Sequence, residues 1–216
     1  RCRVLGLPDS SAYAVRVGRD SAEFDALLAK LVVSETWFFR GGVFEALAKR
    51  ATEVRAGHPD RPFRALSVPC STGEEPYSLA MALLDAGLIA AGSWVIDAVD
   101  VSPAAVAVAK RGVYRDLSFR QTPPAVRTRF FRTGADGWEL DPMIRGRVRF
   151  RVGNVLAPAA FAADAGSYDL VLCRNLLIYL TPDGRRRVVD LLETLLAPGG
   201  WLAVGHAEPS ILEGRR

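Results

Sequence analysis

The sequence predicts an α/β fold: a mostly parallel sheet with helices on both faces. Three observations carry this prediction. Five apolar stretches of strand length recur between residues 64 and 206. Helical patterns separate most of them, and strand–helix–strand alternation is how parallel neighbours are joined. Four of the five are near-continuous apolar runs, as strands covered on both faces require.

The elements follow in chain order. Before residue 60 the pattern is mostly helical, with "SAEFDALLAKL" (21–31) and "GGVFEALAKRATEV" (41–54) joined by "VVSETWFFRG" (32–41). The first strand is "RALSV" (64–68), and the helix after it, "PYSLAMALLDAGL" (76–88), turns Leu79, Leu83 and Leu84 to one face. The second strand is "WVIDAV" (94–99); the helix "SPAAVAVAKRG" (102–112) has an N-cap serine, a first-turn proline and a closing glycine. "FFRTGADGWELD" (130–141) reads as a β-hairpin, an antiparallel insertion. In "RGRVRFRVG" (145–153), Arg145, Arg147, Arg149 and Arg151 alternate with apolar residues, which predicts an edge strand with one wet, basic face. The remaining strands are "YDLVLCR" (168–174) and "WLAVGH" (201–206), separated by the helix "TPDGRRRVVDLLETLLAPGG" (181–200).

Composition narrows the class. A chain of 216 residues, 50% hydrophobic, suits one sizeable domain with at most a small appendage. No apolar run reaches the ~18 residues that span a bilayer, so membrane insertion is not expected. The three cysteines are far apart and only two histidines are present, which argues against a disulfide framework or zinc site and for a reducing cytoplasm. Cys70 and Cys173 read as small residues filling strand ends. A net charge of +4 fits an acidic partner without demanding nucleic acid. The opening "RCRVLGL" reads as an excerpt, so preceding residues are expected.

The strand ends carry the chemistry. In open parallel sheets, ligands bind beyond the carboxyl ends of the strands. Asp100 stands at the tip of the second strand, where an acid accepts hydrogen bonds from ribose hydroxyls, so the ligand contains a nucleoside. The first strand runs into "CSTGEEP" (70–76), which has one glycine, no lysine and two carboxylates. That loop would repel a phosphate and lacks the glycines that cradle one. It suits a cationic, phosphate-free nucleoside, and S-adenosylmethionine, with its sulfonium and ammonium groups, is one. Gly73 would let the backbone come close, and Glu74 would face the ammonium. Both Glu74 and Glu75 also suit the first turn of a helix, where the dipole favours negative charge.

The stretches "SETWFFR", "CSTGEEPYSLAM", "AVDVSPAAVAVAKRGVY", "CRNLLIYL" and "GHAE" resemble, in order and spacing, the motifs of CheR-type chemoreceptor glutamate methyltransferases, from about Gly6 to Glu208. The resemblance implies a Rossmann-like domain with an inserted β-subdomain that transfers methyl from S-adenosylmethionine to receptor glutamates, leaving S-adenosylhomocysteine. It places Thr36 and Arg40, helped by Ser34, at the cofactor. Glu74 and Asp100 match the amino-acid and ribose contacts, Asn154 and Val155 the adenine side. Arg174 and Asn175 follow the fourth strand, and Tyr179 lies beside the transfer site with Arg40. The implied division is a remnant of a helical N-terminal domain over 1–33 and a catalytic domain over 34–216, with the insertion at about 127–147.

The implied partner is the helical cytoplasmic domain of a chemoreceptor, met by a monomer. Two departures bear on this: the N-terminal helical domain that would face the receptor is nearly absent, and the chain stops before the usual terminal strand pair. The hairpin loop "TGADG" (133–137) is short and precedes "WELD", a poor match for an acidic receptor tail, so tail-independent recognition is expected. Rival readings are a methyltransferase acting on RNA or a small molecule, and a non-catalytic S-adenosylmethionine-binding module.

Overall fold

The computed structural model describes residues 1–32, 35–90 and 92–212. Three helices come first: α1 (Ser10–Val17), α2 (Ser21–Leu31) and α3 (Phe44–Gly57). Then follow β1 (Phe63–Ser67), α4 (Glu74–Asp85), β2 (Trp94–Asp100), α5 (Pro103–Arg111) and the short β3 (Val113–Tyr114). After α6 (Pro124–Phe130) come β4 (Phe131–Gly134), β5 (Gly137–Leu140), α7 (Pro142–Arg145) and β6 (Val148–Val152). The chain continues through β7 (Tyr168–Cys173), α8 (Pro182–Leu195) and β8 (Leu196–Val204).

The main sheet has the order β6-β2-β1-β7-β8, and its pairings are parallel throughout. Period-two alternation splits its side chains between two cores. Ala65, Ile96, Ala98, Leu170 and Leu172 face a core shared with α3 and α4. Leu66, Val68, Val99, Val171 and Cys173 face a second core against α8. Helix ends obey the local chemistry: Ser102 Oγ accepts the Ala105 N–H at 3.2 Å, Thr181 Oγ1 accepts the Gly184 N–H at 3.2 Å, and each cap is followed by proline.

β6 is an edge strand, as its alternation predicts. The single basic face does not form, because Arg145 ends α7 and Arg147 lies before the strand begins. Arg151 is half-buried, paired with Asp164 at 3.0 Å and lying over the Phe161 ring. Arg147 donates to the Ile89 carbonyl and lies over Trp94. The last strand begins at Leu196 and takes in the "PGG" that reads as a helix end, accommodated by a register shift opposite Tyr168 and Leu170.

The hairpin β4–β5 closes tightly, with Gly134 opposite Gly137. Gly137 has φ 138°, and a Cβ there would lie 2.5 Å from the Tyr114 carbonyl oxygen, because β3 adds to the hairpin as an unforeseen third strand. Tyr114 and Phe131 from this small sheet, with Phe119, surround the buried Phe38 at centroid distances of 4.8, 5.0 and 5.1 Å. That cluster anchors the "ETWFFR" segment to the fold.

Candidate cofactor and transfer site

The carboxyl ends of β1, β2 and β7 meet at one edge of the sheet, and buried carboxylates tie their loops together. Asp100, only 2% exposed, accepts the Ser71 N–H at 2.8 Å and the Ser102 N–H at 2.9 Å, joining the loops after β1 and β2. Burial raises its carboxyl above the ordinary range, and those backbone donors oppose the shift. Its side chain therefore anchors two loops, with only its spare lone pairs left for a ribose.

The adjacent Glu74 and Glu75 diverge. Glu74 is buried and accepts from the Thr72 hydroxyl at 2.6 Å and the Ser118 hydroxyl at 2.9 Å. Burial pushes its carboxyl up. Glu75 accepts from the Ser67 hydroxyl at 2.8 Å and from the Arg174 guanidinium at 3.2 Å. Burial raises its carboxyl as well, opposed by Arg174. Gly73, with φ 95°, is required by the chain itself: a Cβ would stand 2.9 Å from Ala109 Cβ and 3.1 Å from the Tyr114 hydroxyl. The close approach expected for a ligand is taken up by α5 and β3.

A small cavity of about 60 Å³ opens where these loops meet, lined by Glu35, Thr36, Trp37, Arg40, Cys70, Ser71, Glu75, Arg174 and Asn175 among others. Thr36, Arg40, Arg174 and Asn175 are thus brought together, and of the two adjacent carboxylates Glu75 lines the cavity. Glu74, Gly73 and Asp100 lie outside this lining. Asn154 follows β6, its Oδ1 accepting the Leu156 N–H at 2.9 Å, and Val155 lines a separate groove beside α8. Tyr179 ends a 3-10 turn (Leu177–Tyr179) and is 62% exposed. Ser34 lies outside the described residues.

The segment over the cavity is fixed by its own backbone. Phe38 N–H donates to the Ser118 carbonyl and Phe39 N–H to Ser78 Oγ, both at 2.8 Å, and Phe39 takes a left-handed φ of 59°. These constraints present Trp37 and Arg40 outward. Two guanidiniums lie over the Trp37 ring, Arg40 at 4.2 Å and Arg120 at 3.6 Å from its centroid. Arg40 also donates to the Glu35 carbonyl at 2.6 Å.

The lining fits the amino-acid end of S-adenosylmethionine. Ser71 Oγ and Arg174 Nε are buried and have no partner among the described residues, so two polar atoms stand ready for a carboxylate, and Glu75 is an acceptor for an ammonium. Sequence reasoning did not single out Ser71 and Trp37, which line the cavity, or Arg120, which lies over the Trp37 ring; nothing local says which side chain faces the cavity. Among the described residues no His, Cys, Asp and Glu cluster could hold a metal, and no helix is long and apolar enough to cross a membrane.

A family model described as "CheR methyltransferase, SAM binding domain" matches residues 34–212. The chain is 45% identical over 217 residues to the "Probable biofilm formation methyltransferase WspC" of Pseudomonas putida, covering 98% of this chain and 50% of that protein. It is 35% identical over 215 residues to the "Chemotaxis protein methyltransferase" of Klebsiella aerogenes, covering 96% of this chain and 72% of that one. The chain spans about half the length of the two WspC relatives. Among solved structures it is similar to an arsenic (III) S-adenosylmethionine methyltransferase from Chlamydomonas reinhardtii, with a TM-score of 0.43 and 19% identity over 67% of this chain and 38% of that one. By the family model and the identity to these relatives, the chain belongs to the CheR methyltransferase family and carries its S-adenosylmethionine-binding domain.

Proposed function

We propose that this domain methylates glutamate side chains on the helical cytoplasmic domain of a chemoreceptor-type protein, forming glutamyl methyl esters and S-adenosylhomocysteine. The observation that carries this reading is the cavity at the strand ends, where Glu75, Arg174 and the Ser71 hydroxyl, without a partner among the described residues, complement an amino acid beneath the half-buried Arg40–Trp37 rim. Bound S-adenosylmethionine would supply a methyl group already activated on a sulfonium. A glutamate carboxylate is ionised at pH 7, so the protein needs no general base. Its residues position the reactants and exclude water, which supplies roughly 7–11 kcal/mol.

Arg40, held against Trp37, orients the incoming carboxylate, and Tyr179 limits its approach from the loop after β7. Thr36, Arg174 and Asn175 hold the amino-acid end, with Ser34 helping; Asp100 meets the ribose, and Asn154 and Val155 the adenine side. Residues 34–216 form the catalytic domain and 1–33 the end of a helical N-terminal domain. The domain works as a cytoplasmic monomer and recognises the receptor's helical methylation region without gripping its tail.

The test is incubation with labelled methyl donor and receptor fragments, followed by an assay for base-labile methyl ester. Arg40→Ala and Tyr179→Phe should lower turnover more than cofactor affinity. Wild-type single-turnover rates in both variants would reject these residues. Cofactor binding with no ester formed on any fragment would favour the non-catalytic module. Saturable binding of a receptor tail pentapeptide tighter than about 10 μM, lost on altering the 133–138 loop, would overturn tail independence.

A further inference from the structure

Glu208 lies outside the site described above and is fully buried, at 0% exposure. Its carboxylate is surrounded by backbone N–H groups from two separate loops. Oε2 accepts from Asn175 at 2.9 Å and from Gly205 at 2.6 Å, and Oε1 accepts from Leu177 at 2.8 Å. Its own N–H donates to the Gly205 carbonyl at 2.9 Å, closing the turn after β8. The fit is tight: a Cβ on Gly205 would lie 2.6 Å from Glu208 Oε2 and 3.0 Å from the Asn175 nitrogen. Asn175 also has φ 60°, a left-handed conformation that persists in a side-chain-bearing residue when its surroundings over-determine it.

We propose that Glu208 is a positioning residue for the cofactor and transfer site, acting through the Arg174–Tyr179 loop. Two charge-assisted bonds grip that loop at Asn175 and Leu177. The grip falls between Arg174, which faces Glu75 and the Arg40 carbonyl, and Tyr179 at the rim. With Glu208 in place, the loop leaves β7 at a fixed angle and Asn175 stays in the cavity wall. This rests on the reading of the cavity as the cofactor site.

The experiment compares wild type, Glu208→Gln and Glu208→Asp as the full chain. Calorimetry measures S-adenosylhomocysteine affinity, and hydrogen exchange measures amide protection at Asn175, Leu177 and Gly205 without ligand. Glutamine loses the charge and turns an amide donor toward N–H groups, so affinity should fall by about tenfold. Protection at the three amides should fall by a similar factor while thermal unfolding stays cooperative. Aspartate keeps the charge but is one methylene shorter and should give a smaller loss of both. A folded Glu208→Gln chain with affinity and protection within twofold of wild type overturns the proposal; a merely structural role would lower the melting temperature and leave affinity intact. If Glu208→Gln does not fold, Glu208→Asp decides by the same criterion. If wild type binds the cofactor product but esterifies no receptor fragment, the proposed function fails while the affinity and exchange results still decide the role of Glu208. If wild type binds no S-adenosylhomocysteine, the cofactor role fails outright.

Discussion

Arg174→Met tests the buried pair beneath the cavity. The guanidinium makes a 3.2 Å contact with Glu75 and a 2.8 Å bond to the Arg40 carbonyl, and the two paired side chains are 6% and 12% exposed. Breaking a buried pair from one side costs about 3–5 kcal/mol when the other charge is stranded. Two features reduce that figure here. Glu75 keeps the Ser67 hydroxyl at 2.8 Å and borders a polar cavity that water can enter. Arg174 Nε has no partner among the described residues, so its removal relieves a desolvation penalty of about 1 kcal/mol. A net loss of about 2–3 kcal/mol follows. Glu75→Gln alone should cost less, about 1 kcal/mol, because it removes a carboxylate whose ionisation burial already opposes. The double variant should fall short of the sum by about 1–2 kcal/mol. Denaturant unfolding of all four proteins at one pH, with unchanged slopes, measures this coupling. Additivity within about 0.5 kcal/mol would refute an interaction between the two side chains.

Two further outcomes are expected. Burial raises the Glu74 carboxyl in the folded chain, so its contribution to stability is full below the unfolded carboxylate range and is lost as pH rises through the folded value. Glu74→Gln should therefore melt above wild type near pH 8, with the advantage shrinking as pH falls into the carboxylate range; an advantage that grows toward acid would contradict the assignment. Asp100→Ala strands the Ser71 and Ser102 N–H groups, bonded at 2.8 and 2.9 Å, and should cost about 2–4 kcal/mol of unfolding free energy. Calorimetry should also show cofactor affinity weakened by about 1–3 kcal/mol; unchanged affinity removes Asp100 from the site.

Much of the fold is legible in the sequence because local chemistry and periodicity carry it. The apolar runs that become β1, β2 and β7 need two covered faces, and Ser102-Pro103 and Thr181-Pro182 announce the starts of α5 and α8. Asp100 is legible as a candidate site acid because a strand tip is a special place in any parallel sheet; that it also ties the loops after β1 and β2 together is not legible. β3 is not legible: two residues have no period, and Val113–Tyr114 becomes a strand only by pairing with β5. The basic stripe of 145–151 misleads for a related reason, since period two holds only while the chain stays extended and α7 ends at Arg145.

The site divides the same way. The sequence determines that two carboxylates open α4 and that an arginine and an asparagine follow β7. Which carboxylate meets the cavity is decided by packing. Consecutive residues on a helix point about 100° apart, and here Thr72 and Ser118 close over Glu74 while Glu75 is left facing Arg174. Glu208 belongs wholly to the tertiary structure, because its partners at Asn175 and Leu177 are 33 and 31 residues away and meet it only when β7 and β8 lie side by side. Residue type and spacing specify which groups a chain can offer; the direction each one faces is set by neighbours that the fold alone brings within hydrogen-bonding reach.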